Sequence, residues 1–186
     1  MKKILLIATG GTIASGYTAE GLTPQIAATQ MLQYVEEYKT FCEVDVTEPF
    51  SLDSTNIYGR HWLLLAGVIE ENYAAYDGFV ICHGTDTMAF TAAALSYLVQ
   101  NSSKPIVVTG AQKPISLPVT DARTNLLDSL RFAADSRAHG VNIVFGGKVI
   151  SGTRAKKERS KSYNAFSSIN YPSVAVIRDG RIVFYI

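Results

Sequence analysis

Short apolar runs recur along the chain at Ile4–Ala8, Cys42–Thr47, Gly78–Cys82, Pro105–Thr109 and Val141–Phe145. All five read as strands, and Ile4–Ala8, with no polar interruption, reads as a central parallel strand covered on both faces. The gaps between them carry helical spacing. Thr23-Pro24 reads as an N-cap followed by proline in the first turn of a helix through QIAATQMLQYVEEYK. Its apolar face would be Ala28, Met31, Leu32, Val35 and Tyr38. The segment from Asn56 puts Trp62, Leu65, Ala66, Ile69 and Tyr73 on one face. The segment after Thr85-Asp86 does so with Met88, Ala92, Leu95 and Val99, and that from Asp121 with Leu126, Leu127, Leu130 and Ala134.

Strands alternating with helices predict βαβ units. The expected fold class is α/β: an open, mostly parallel sheet with helices on both faces, a flavodoxin-like three-layer sandwich, plus a C-terminal β-hairpin. The hairpin comes from Ser173–Arg178 and Arg181–Ile186, which flank Asp179-Gly180, a strong two-residue turn signal. Lys148–Ser151 reads as a short strand continuing the sheet. Gly152 to Asn170 is polar and holds a basic run from Arg154 to Lys161. There is no internal repeat and no linker, so residues 1–186 are read as one domain.

Composition narrows the function classes. The chain has 186 residues, 47% hydrophobic and 18% charged, which suits one globular core. A net charge of +1 gives no argument for nucleic acid or a membrane surface as partner. Cys42 and Cys82 both fall in predicted strands and read as small buried hydrophobes rather than a disulfide or a metal site. Lys2-Lys3 followed by ILLIA imitates a signal peptide, but the apolar part is too short, so a cytoplasmic setting is expected.

The candidate chemistry lies where right-handed crossovers gather the strand ends on one edge. Thr9-Gly10-Gly11-Thr12 follows the first strand. The next three strands are followed by Ser51-Leu52-Asp53-Ser54-Thr55-Asn56, His83-Gly84-Thr85-Asp86-Thr87 and Thr109-Gly110-Ala111-Gln112. Taken alone, Gly10-Gly11 reads as a tight turn and Thr85-Asp86 as an N-cap of the following helix. The GxGxxG spacing and the P-loop lysine are both missing, so a nucleotide site is a weak reading, and there is no Gly-x-Ser-x-Gly elbow. Of the histidines, only His83 falls at this edge, and it reads equally as structural. What remains is threonine hydroxyl, the Asp86 carboxylate and the lysines after Gly152. A threonine hydroxyl becomes a nucleophile only when a base takes its proton. The residues themselves therefore lead to a hydroxyl-nucleophile site for a small polar substrate.

Thr9-Gly10-Gly11-Thr12-Ile13-Ala14 and His83-Gly84-Thr85-Asp86-Thr87-Met88 resemble the two signatures of the bacterial-type L-asparaginases, which hydrolyse L-asparagine to L-aspartate and ammonia. The resemblance extends through Asp53-Ser54, Val108-Thr109-Gly110-Ala111, Asn125-Leu126 and Gly152-Thr153-Arg154-Ala155-Lys156-Lys157. Ala165-Phe166 and Ser168-Ile169-Asn170-Tyr171-Pro172 look most like the cytoplasmic, type I branch. It implies Thr12 as primary nucleophile and Tyr17 as the loop tyrosine that closes over it. It implies Thr85, Asp86 and Lys157 as a second cluster, with Lys156 the alternative lysine if the loop is shifted by one. Gly11, Asp53, Ser54, Thr55, Gly84 and Ala111 would surround the substrate. Ser54 would take its α-carboxylate and Asp86 its α-ammonium.

No metal and no cofactor are implied. The sequence resembles only the family's N-terminal catalytic domain, and the family's C-terminal domain is expected to be absent. A homo-oligomer is expected in consequence, as are an open question over asparagine against glutamine and, as a rival, a binding module without turnover.

Overall fold

The computed structural model runs from Met1 to Ile186. It describes the backbone of all residues except 19, 20 and 25, and the side chains outside 17–25. In chain order the strands and α-helices are β1 (Lys2–Ala8), β2 (Ser15–Thr18), β3 (Gly21–Pro24), α1 (Ala28–Met31), β4 (Cys42–Thr47), α2 (Gly59–Asn72), β5 (Gly78–Cys82), α3 (Met88–Leu98), β6 (Pro105–Thr109), α4 (Ala122–Ala134), β7 (Gly140–Phe145), β8 (Lys148–Ser151), β9 (Ala155–Lys157), β10 (Phe166–Ser168), β11 (Ala175–Arg178) and β12 (Arg181–Phe184).

The main sheet has the order β12-β11-β8-β7-β6-β5-β1-β4. The strands β4, β1, β5, β6 and β7 are parallel, while β8, β11 and β12 are added antiparallel. The period-two alternation of a strand is visible in the packing. Ile4, Leu6 and Ala8 of β1 join Val80, Val107 and Leu126 on the face covered by α1 and α4. Leu5 and Ile7 join Phe79, Ile106, Leu65 and Leu95 on the face covered by α2 and α3. Burial on both faces is why these strands read as unbroken apolar runs.

The predicted C-terminal hairpin is β11–β12. Asp179 (φ 49°) and Gly180 (φ 72°) supply the left-handed turn that a two-residue hairpin connection needs.

The first predicted helix is corrected. Thr23 and Pro24 do not start it: they belong to β3, where Gly16 pairs with Thr23 and Ser15 with Pro24. Regular α-helix is confined to α1, and tight 3-10 turns follow at Leu32–Tyr34 and Glu36–Thr40. Val35, between them, leaves helical geometry at φ −138°. The apolar spacing still marks the inward face, since Ala28, Met31, Leu32 and Val35 are all buried. Spacings of three and four serve a 3-10 turn as well as an α-turn, so burial survives where the helix does not.

Candidate active site

The parallel strands follow the order β4-β1-β5-β6-β7, so the chain reverses its direction of travel across the sheet between β1 and β5. Ligands of open α/β sheets bind outside the strand C-termini at such a point. Thr12 follows β1 and Thr85 follows β5.

At the β1 end the backbone does most of the building. Thr9 donates through its N–H (3.1 Å) and its hydroxyl (2.8 Å) to the Cys82 carbonyl, which locks the two strand ends together. Gly10 (φ 99°) and Gly11 (φ 82°) then turn the chain. A side chain on Gly11 would come within 2.5 Å of the Gly84 nitrogen, so only glycine lets the two loops approach this closely. Thr12 opens a 3-10 turn, Thr12–Ala14, and the Ser15 hydroxyl donates to the Gly11 carbonyl at 2.9 Å.

At the β5 end side chains do it. Lys157 Nζ donates to Thr85 Oγ1 at 2.8 Å and to Asp86 Oδ1 at 2.7 Å. The lysine is largely buried and the aspartate largely exposed. Lys157 reaches this point because β9 pairs with β10 in a small two-stranded sheet, Phe166 opposite Lys157. Lys156, on the alternate face of β9, is exposed, so of the two candidate lysines it is Lys157 that contacts Thr85 and Asp86. The N-cap reading of Thr85-Asp86 is corrected. The N-cap position of α3 is Thr87, without a side-chain capping bond, and the Thr87 hydroxyl goes to the Ser54 carbonyl at 2.7 Å.

His83 is fully buried. Its Nδ1 lies 2.7 Å from the Gly84 carbonyl, which can only accept, so Nδ1 carries the proton. Nε2 then accepts from the Thr91 hydroxyl at 2.8 Å, and Thr91 accepts from Trp62 Nε1–H at 2.9 Å. Burial lowers the imidazole pKa to about 4, so the ring is neutral at pH 7. It pins the loop and does not line the cavity.

Gly11, Thr12, Ser15, Asp53, Ser54, Gly84, Thr85 and Asp86 enclose one cavity of about 140 Å³. Ser54 is buried, and Asp53 is exposed and accepts from the Thr55 N–H at 2.9 Å and hydroxyl at 2.8 Å. The expected Thr55 and Ala111 are not among the lining residues. Thr55 is turned to Asp53, and Ala111 is packed in the core beneath α4. The backbone of Tyr17 lies in β2, opposite Leu22, and its side chain lies outside the described residues. Ser15 was not anticipated, since nothing in its spacing distinguishes it from the hydroxyls around it.

Chemically, the cavity joins two threonine hydroxyls, two buried serines and two carboxylates, with Lys157 bonded behind Thr85 and Asp86, and is small enough for an amino acid. Neutral His83 is already committed on both nitrogens. No cluster of three or more metal-binding side chains occurs among the described residues.

Comparison with known proteins identifies the family and the fold. An L-asparaginase of Thermococcus kodakarensis is 37% identical over 182 residues, covering 97% of this chain and 55% of that protein. A solved structure of the thermostable L-asparaginase from Thermococcus kodakarensis superimposes with a TM-score of 0.92, at 36% identity over 99% of this chain and 56% of that one. The structure of a probable cytoplasmic L-asparaginase from Campylobacter jejuni gives 0.90, at 30% identity over 100% of this chain and 57% of that one. A glutamyl-tRNA(Gln) amidotransferase component of Pyrococcus furiosus is 33% identical over 192 residues, 97% of this chain and 44% of that protein. The chain thus spans about half the length of the curated relatives it matches. The family model "Asparaginase, N-terminal" matches residues 3–186, and the chain belongs to the asparaginase family.

Proposed function

We propose that the chain hydrolyses L-asparagine to L-aspartate and ammonia. The Thr12 hydroxyl adds to the side-chain amide carbon, the C–N bond breaks, and ammonia leaves with the proton that Thr12 gives up. Water then cleaves the β-aspartyl ester, returning the proton to Thr12 and releasing aspartate. The observation that carries this reading is the meeting of Thr12 and Thr85 in one small cavity at the strand-order reversal, with Lys157 on Thr85. Backbone N–H groups of the Gly11 and Gly84 loops are the proposed donors to the oxyanion, where preorganised donors contribute most. Asp86 and Asp53 face the substrate's ammonium, and Ser54 its carboxylate. Tyr17 is carried as the closing tyrosine by the family resemblance alone.

Exposed Leu63, Phe90 and Tyr97 on α2 and α3 support a homo-oligomer. A single species of monomer mass in light scattering would overturn it. A cytoplasmic setting is proposed on the two free, buried cysteines and the Campylobacter relative.

The test is ammonia release from asparagine and glutamine by the native chain and by Thr12→Ala. Release from asparagine that falls at least about a thousandfold in the variant is expected. Release that survives moves the nucleophile to Thr85. Folded protein that releases nothing supports a binding module instead. The Pyrococcus relative favours a second reading, the amidase component of an amidotransferase, and a clear preference for glutamine would support it.

A further inference from the structure

Gln112 follows β6 and is held from two sides. Its backbone N–H donates to the Asp121 carboxylate, at 2.9 and 3.1 Å to the two oxygens. Asn125, one turn into α4, donates to the Gly110 carbonyl at 2.9 Å. The side chain is fixed in its turn: Nε2 donates to the Ser162 carbonyl at 3.0 Å. A carbonyl cannot donate, so the amide nitrogen must face Ser162 and the amide oxygen must face Thr85.

That orientation decides how Thr85 presents itself. Its hydroxyl has one proton and two lone pairs. Lys157 donates to one lone pair at 2.8 Å. Among the described residues the acceptor within reach of the proton is Gln112 Oε1, at 3.5 Å. At that length, beyond the roughly 2.5–3.0 Å of an ordinary O–H···O bond, the contact is weak, and Gln112 acts on the proton as the nearest carbonyl dipole facing it. The second lone pair is left for the cavity that Thr85 lines.

We infer that Gln112 is a specificity-determining residue of this site: by holding the Thr85 proton, it makes Thr85 an acceptor toward the ligand. An acceptor suits the NH₂ of a carboxamide and opposes a carboxylate. The site therefore favours the amide substrate over its own acid product. This deepens the asparaginase reading and rests on it.

The experiment compares native protein with Gln112→Leu, and with Gln112→Met as a second variant closer in shape. Aspartate binding is measured by calorimetry and ammonia release from asparagine is assayed alongside. Without its acceptor the Thr85 hydroxyl is free to turn and donate into the cavity. Aspartate is expected to bind about tenfold tighter, the worth of one hydrogen bond to a charged group, with KM for asparagine unchanged or raised. In a Thr85→Val background the same Gln112 substitution is expected to leave aspartate affinity unchanged, which a general structural effect would not do.

Aspartate affinity that is unchanged or weaker in both variants overturns the inference, as does tightening that persists without the Thr85 hydroxyl. Native protein that releases no ammonia, but whose variants bind aspartate more tightly, overturns the hydrolase reading alone. Protein that neither binds aspartate nor releases ammonia overturns both.

Discussion

The two strand ends that form the site are built by opposite means. At the end of β1 the chain uses backbone: two successive glycines with positive φ, and Thr12 on a tight turn behind them. At the end of β5 it uses a network of side chains. One branch runs from Trp62 through Thr91 and His83 to the Gly84 carbonyl. Another joins Lys157, Thr85, Asp86 and Gln112. Glycine loops leave room for a substrate and expose N–H groups, and a charged network supplies protons and holds a polar ligand. The difference suggests a division of labour, with covalent chemistry proposed at the backbone-built end and electrostatics at the other.

The largest effect on turnover alone that would break this division is at the charged end. Lys157→Met removes the donor to both Thr85 and Asp86 and leaves the methylene packing in place. It is expected to lower kcat for asparagine by about a hundredfold or more, the usual weight of a positioned proton-transfer group. KM should move much less. A Lys157→Met protein with unchanged kcat would place all the chemistry at the β1 end. Lys156→Met, on the exposed face of β9, is the control and is expected to be silent.

Gly11→Ala tests the backbone end. The new Cβ would sit 2.5 Å from the Gly84 nitrogen and 2.7 Å from its Cα, backbone atoms that cannot rotate away. With φ at 82° the alanine is also strained. A loss of about 3 kcal/mol or more in urea unfolding is expected, together with loss of activity. Stability and activity should fall together, because the substitution pushes the two strand ends apart. Full stability with lost activity would mean the loops separate freely.

How much of this could be read in advance follows the same contrast. β5 and β6 have the bounds that the apolar runs set, because burial on both faces writes itself into composition, and β4, at the sheet edge, is bounded as read by its alternation of apolar and polar residues. Gly10-Gly11 could be read as a sharp turn for the same reason: local geometry demands the residue type. Neither route reaches the charged network. Lys157 and Thr85 lie 72 positions apart and meet only through the β9–β10 pairing. Those strands are three residues each, polar, and held by bonds such as Glu158 N–H to the Ala165 carbonyl, so no periodicity announces them. Only the family resemblance pointed to Lys157. The first helix went wrong for a related reason: Thr23-Pro24 is a sound start signal that tertiary pairing with β2 overrides.

The smallest effect sharpens the contrast through pH. His83 is the titratable group of the β5 network held neutral by burial, with its pKa lowered to about 4 from an ordinary 6.5. Between those values the unfolded chain binds a proton that the folded one refuses. Stability from this group is therefore complete above about pH 6.5 and is lost as pH falls toward 4, by up to about 3 kcal/mol. Asp128 on α4 works the other way. Burial raises its pKa to about 6, so the fold favours its protonated form, and its contribution falls as pH rises from about 4 to 6. The two slopes oppose one another over nearly the same window, and the native curve should be flatter than either alone. His83→Gln keeps a donor for Gly84 and an acceptor for Thr91 but cannot titrate. Urea midpoints of this variant, measured from pH 7 to pH 4, should lose less stability on acidification than the native protein. A native-like slope in the variant would mean that His83 is not the closed, neutral relay that fixes the Gly84 peptide, and the side-chain-built end would then rest on Lys157 and Gln112 alone.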